Sequence, residues 1–249
     1  MNVINNSPSY EVRKKIFSVL SEWGKQNDCV PQESYLRLSK PLQNGVGHYT
    51  FDPSVKAIVQ GDKSLSEGDV FFGLGNIVGL MLDTDPVRTG AAPILTYPLL
   101  VSAASRGFIA EDIFRLYYGI LTRRTVQTQL NEGFPVAKFR VTPETQPTFI
   151  IDADGVSHSL GLQPEYDYER AINWFAINFV MNGKDSNMIE LDFNGTDANF
   201  AVAEADQTTV STTHKPYLVY EEFGFLMKGA ANADVKNSLE SFIAARLKW

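Results

Sequence analysis

The chain has 249 residues, 44% of them hydrophobic, 12% aromatic and 20% charged, with a formal net charge of −7. Such a chain builds a real core and is long enough for one large domain or two small ones. An acidic chain without a basic cluster is not made to neutralise phosphates, so direct nucleic-acid binding is not expected. Cys29 is the only cysteine, and His48, His158 and His214 are the only histidines. This excludes an internal disulfide and a cysteine-rich zinc site, and His-x-x-x-His spacing is absent. The polar start, with Asn2, Asn5 and Asn6, does not read as a signal peptide.

The first element is a helix from Ser9 to Trp23, with Ser7 as cap, Pro8 in the first turn and Gly24 as its end. Val12, Ile16, Val19, Leu20 and Trp23 recur at helical spacing and form one apolar stripe. Arg13, Lys14 and Lys15 flank the stripe and Lys25 follows it. Two readings stay open: a helix packed on the core with a solvated polar face, or one whose basic residues lie on an anionic lipid surface.

From Glu33 to Pro98 the chain reads as short strands with punctuation. Tyr35 to Lys40 alternates, and Asn44-Gly45 is a hairpin dipeptide. His48–Phe51 and Val55–Val59 follow, with turns at Gly61-Asp62 and Glu67-Gly68. The uncharged run Val70–Leu82 is too short to cross a bilayer, which needs about 20 apolar residues, so it is expected to be buried in protein. It contains Gly73-x-Gly75-x-x-x-Gly79, which invites a dinucleotide-binding reading. That reading requires a helix after the glycines and an acid about 20 residues on. A helix here would stop at Asp83-Thr-Asp-Pro86, because the residue before proline leaves helical space, and no acid stands in Ala92–Pro98. The glycines therefore read as points of close backbone approach in a buried strand.

Ala110–Leu121 is a second helical candidate, with Ile113, Leu116, Tyr117 and Ile120 as its stripe. Strands are expected at Thr125–Leu130, Val136–Val141, Thr148–Ile151, Ala171–Met181, Met188–Phe193, Asn199–Ala203 and Tyr217–Met227. A last helix starts at Asp234 and carries Val235, Leu239, Phe242, Ile243 and Leu247 on one face. Many short strands with regular turn signals mean a sandwich or barrel. The pattern suits two antiparallel barrels: residues 1–31 as a helical arm, 32–143 and 144–230 as the barrels, and 231–249 as a terminal helix, with Thr142–Pro147 as the linker.

Phe149-Ile-Ile-Asp152-Ala-Asp154-Gly155 resembles the first motif of haloacid-dehalogenase-type phosphatases. That resemblance implies Asp152 as nucleophile and Asp154 as acid/base beside a magnesium ion. Val156 stands where the family has threonine, and a hairpin turn accounts for Asp154-Gly155 without chemistry. Asp83 and Asp85 read as a loop start, and Glu165, Asp167 and Glu169 as a solvated acidic patch. No cofactor, metal or catalytic residue is expected, and the chain is not read as an enzyme.

Three segments together carry a further resemblance: Tyr35–Gly45 with Tyr49–Phe51, Ser66–Phe72 leading into the glycine-rich run, and Tyr117–Leu121 with Phe139–Gln146. Their order resembles the major capsid proteins of icosahedral phages with an internal membrane, of the finnlakevirus and corticovirus type. The resemblance implies a mainly β double jelly-roll of two eight-stranded barrels with N- and C-terminal helices. It also implies homotrimers forming pseudo-hexagonal capsomers in a virion assembled in the host cytoplasm. The N-terminal helix, through Arg13, Lys14, Lys15 and Lys25, is the candidate for contact with internal lipid. A β-sandwich binding module for carbohydrate or surface recognition is the alternative, with Tyr166, Tyr168 and Trp174 as its aromatics. A phosphatase using Asp152 and Asp154 comes third.

Overall fold

A computed structural model describes residues 10–55, 59, 61–83, 94–96, 107–109, 111–125, 128–129, 133–140, 144–151, 157–165, 172–203, 209–212, 214–231 and 235–246. The strands are β1 (Pro31–Pro41), β2 (His48–Phe51), β3 (Val70–Asp83), β4 (Gly107–Phe108), β5 (Ile120–Thr125), β6 (Thr128–Gln129), β7 (Phe134–Pro135), β8 (Glu144–Ile151), β9 (Ser157–Glu165), β10 (Asn173–Asn182), β11 (Asn187–Asp192), β12 (Val202–Ala203) and β13 (Lys215–Met227). Helices α1 (Tyr10–Gln26) and α2 (Val235–Arg246) stand at the two ends of the described chain, and short 3-10 helices occupy Glu111–Tyr118 and Val136–Phe139.

The fold is mainly β and rests on two antiparallel sheets. One has the order β1-β13-β3-β10 and the other β2-β11-β5-β6, with β7 also paired to β5. The pairs β1–β13, β2–β11, β3–β10 and β5–β6 are nested, each inside the one before, so the chain is doubled back on itself with β5 and β6 as the innermost pair. The pairs β13–β3 and β11–β5 then join these ribbons into sheets. Each sheet therefore draws strands from both halves of the chain. The expected division into barrels at 32–143 and 144–230 is not followed by the sheets, and among the described residues no closed barrel is seen. Residues 144–147 of the expected linker are paired with β9 in the β8–β9 hairpin. Alternating patterns reveal which face a residue takes; they are silent about which strand lies beside it.

The two sheets face each other across a shared core. Tyr49 and Phe51 of β2, Leu121 of β5, Ile189 and Leu191 of β11, Val78 and Leu80 of β3, and Leu218 and Tyr220 of β13 are buried in one cluster. On β11 the buried and open positions alternate as the sequence predicts, with Ile189 and Leu191 inward and Met188 and Asp192 outward. The outer face of the first sheet is covered by the helices: Ile16, Val19, Leu20 and Trp23 of α1, and Leu239 and Ile243 of α2, pack with Val70, Phe72, Val180 and Phe225. That second covered face explains why β3 and β13 read as near-continuous apolar runs rather than alternating ones.

The glycines of β3 are explained by close packing. The strand continues unbroken through Gly73, Gly75 and Gly79 to Asp83. A Cβ at Gly75 would stand 2.9 Å from Trp174 Cε3, and one at Gly79 would stand 2.7 Å from the Leu95 carbonyl oxygen. At Gly73 it would overlap the Glu222 carboxylate.

Three expected elements change character. Helix α1 runs past Gly24, whose bare Cα lies against the Cys29 carbonyl. It ends where Asn27 Nδ2 donates to the Trp23 carbonyl and Asp28 turns to φ +53°. The expected helix at Ala110–Leu121 is a 3-10 helix that stops at Tyr118, because Gly119 sits tightly against the Asp192 carbonyl and β5 starts at Ile120. Ile120, assigned to its buried stripe, is 52% exposed. The strand expected at Val136–Val141 is a 3-10 turn over its described part, and it places Val136 and Phe139, three residues apart, in the core together.

Candidate functional site

Two buried charge clusters lie back to back on β13. Glu221 and Glu222 are neighbours in a strand, so their side chains leave opposite faces of the sheet. Glu222 points between the sheets and meets Arg123 of β5, the facing sheet, at 2.8 Å. Tyr220 donates its hydroxyl to the same carboxylate. Asn76 sits beside them in register with Glu222 and accepts from Asn173 at 3.2 Å. The Arg123 guanidinium lies 5.1 Å above the centre of the Phe175 ring. Glu222 has no exposed side-chain surface and Arg123 only 3%.

Burial pushes the Glu222 carboxyl up, against the lowering pull of Arg123 and Tyr220. The Tyr220 hydroxyl lies well above its ordinary range, with burial the main cause. Burial also works against the Arg123 cation, but Glu222 and Tyr220 outweigh it and its pKa is raised. Glu222 and Arg123, joined at 2.8 Å, form a polar pin across the sandwich.

Glu221 leaves by the other face. Arg37, its register partner on β1, donates to it at 3.3 Å and approaches Asp62 at 3.9 Å. Asp62 also accepts from the Ser39 backbone and hydroxyl, at 2.9 and 2.6 Å. Burial raises the Asp62 carboxyl despite these bonds. Sequence reasoning missed both clusters. The available signal was the pair Glu221-Glu222 inside the apolar run Tyr217–Met227, where an isolated charge is costly and must find a partner.

The residues singled out in the sequence lie elsewhere. Lys14, Lys15 and Lys25 are exposed on α1 and Arg13 is half-buried. The apolar stripe beside them is buried against the sheet and α2. Arg13, Lys14, Phe17, Glu33 and Phe225 line a groove along the helix. Asp152, Asp154, Asp85, Tyr166 and Tyr168 lie outside the described residues. Trp174 is half-buried against Gly75 and the helix-covered core. His48 pairs with Asp192 on the open face of the second sheet, and buried His214 bonds to Ser211. Among the described residues no group of three or more His, Cys, Asp or Glu side chains is placed to hold a metal ion, and no helix is long and apolar enough to cross a membrane.

No family model, characterised protein or solved structure matches the chain.

Proposed function

We propose that the chain is a self-assembling coat protein built on one jelly roll. The observation that carries this reading is the nested strand pairing. Numbered one to eight along the chain, strands β1, β2, β3, β5, β6, β10, β11 and β13 give sheet orders 1-8-3-6 and 2-7-4-5. A long hairpin rolled up on itself produces that order, and jelly rolls of eight strands in two sheets recur in viral shells, lectins and cupins. The resemblance of three segments to capsid proteins favours the shell among these, because fold alone does not select a function. One roll per chain replaces the two expected. A hexagonal unit would then take six copies, where double rolls need three.

The sheet edges support association through faces and loops rather than by strand addition. Edge strand β1 carries Pro31 and Pro41 at its ends and is bridged at Arg37 by Lys63. Edge strand β10 is irregular between Trp174 and Phe179, β2 has four residues and β6 two. Short, bulged or proline-flanked edges resist pairing with other chains.

The test is light scattering on the purified protein across a concentration series, with electron microscopy of the heaviest fraction. Discrete oligomers or shells are expected. A strict monomer at high concentration sinks the proposal and leaves the binding-module reading, which a glycan-binding assay then addresses.

A further inference from the structure

Three side chains on the outer face of the second sheet stand in the order acid, imidazole, hydroxyl. His48 and Thr50 are two residues apart on β2, so they leave the same side of the sheet. Asp192 of β11 is the register partner of His48, the position from which side chains on one face meet. Asp192 Oδ1 lies 2.5 Å from His48 Nδ1, and Thr50 Oγ1 lies 3.1 Å from His48 Nε2. One tautomer satisfies both contacts: Nδ1–H donates to the carboxylate, and Nε2 accepts from the Thr50 hydroxyl. Glu190, opposite Thr50, is engaged by Arg124 at 3.2 Å, so Asp192 is the acid that orients the ring. The His48 and Asp192 side chains are 57% and 61% exposed and Thr50 is half-buried, so the cluster is open to solvent. Asp192 is 144 residues from His48, which is why spacing in the sequence does not reveal the group.

A hydroxyl on a base that a carboxylate orients is the arrangement that activates a nucleophile. We propose that Thr50, His48 and Asp192 form an acyl-transfer site for carboxylic esters with good leaving groups. This activity is separate from the self-assembly reading, and either stands without the other. Thr50 Oγ1 attacks the ester carbonyl carbon while its proton passes to His48 Nε2. The bond to the leaving oxygen then breaks, and that oxygen takes the proton from Nε2, leaving an acyl group on Thr50. Water attacks the acyl carbon and gives a proton to Nε2; the bond to Oγ1 breaks and Thr50 recovers that proton. Ester and water become acid and alcohol, with no oxidant or reductant. Thr50 and His48 are the catalytic residues, and Asp192 is a positioning residue. The open face sets the substrate class. An oxyanion formed there is solvated by water, so the large electrostatic contribution of a dry, preorganised site is missing. Acid–base help of about 10²–10⁴-fold remains, which suits phenyl esters rather than amides.

The test is hydrolysis of p-nitrophenyl acetate by the full chain, with mass spectrometry of peptides from acid-quenched samples. Wild type should release nitrophenolate at least about tenfold faster than His48→Gln and should carry an acetyl group on Thr50. Thr50→Val should lose the rate and the adduct. Thr50→Ser, which keeps a hydroxyl, should retain both, with the acetyl group still at position 50. Asp192→Asn can donate its amide to Nδ1 and so leave the proton on Nε2, where the ring no longer acts as a base; acylation should slow at least about tenfold. Thermal melts of these variants should overlay wild type, because an exposed pair adds little stability, and that separates positioning from a structural role. A rate equal in wild type and His48→Gln, a rate unchanged by Thr50→Val, or acetyl groups found only on lysine or histidine overturns the proposal. If a variant fails to fold, the position of the acetyl group on wild type decides by itself.

Discussion

Removing Arg123 while leaving Glu222 in place is the sharpest test of the core described here. Arg123→Met keeps much of the side-chain volume and deletes the cation. Glu222 then faces Tyr220 and Asn76 from a position with no exposed surface, 2.8 Å from where the guanidinium stood. Breaking one side of a buried pair costs about 3–5 kcal/mol, because the remaining charge is desolvated without compensation. Against a typical total of about 5–15 kcal/mol this is a large fraction. For a chain of this size it lowers the melting temperature by roughly 6–20 °C. The companion variant Arg123→Met/Glu222→Leu removes both charges, leaving chiefly the Tyr220 hydroxyl without its acceptor, a loss of about 1–3 kcal/mol. With the second single variant, Glu222→Leu, added, urea unfolding followed by tryptophan fluorescence gives all values of the cycle, with equal m-values as the check on two-state behaviour. The expected result is a double variant more stable than Arg123→Met alone. A single variant that loses less than about 1 kcal/mol, the scale of an exposed pair, refutes a dry pin across the sheets.

Gly73→Ala should destabilise by about 1–3 kcal/mol, the scale of overpacking, since its methyl would overlap the Glu222 carboxylate; combining it with Glu222→Ala should recover part of that loss, as read by thermal melts. Trp23→Ala should cost about 3–5 kcal/mol, because Trp23 is buried under the sheet and α2; a negligible loss would mean that α1 is not docked. The pH dependence follows from Glu222. Its folded pKa is raised, so the native state keeps a proton that the unfolded chain releases. Its contribution is fully present below the ordinary glutamate range and is lost as pH rises through the raised value. In urea midpoints measured across that window, wild type minus Glu222→Gln should fall with rising pH, and a flat difference would contradict the buried carboxyl.

Much of the local structure was legible in the residues. The stripe Ile16, Val19, Leu20 and Trp23 identified α1 and its buried face. The alternation along Met188–Phe193 identified β11 and its inward side. Gly73, Gly75 and Gly79 were readable as close approaches because no helix or acid followed to complete a nucleotide site. The identity of the neighbours was not legible. Arg37 meets Glu221 across 184 residues and Arg123 meets Glu222 across 99, and nothing in strand periodicity encodes such distant partners. By itself the sequence therefore determined mainly-β character, the terminal helices and which side chains turn inward, because those follow from local sterics and hydrophobic spacing. The tertiary structure alone decided that the strands of the two halves interleave in shared sheets and that Glu222 is held between them by Arg123. Nesting and ion pairing are set by which surfaces can be buried together, a property of the folded whole.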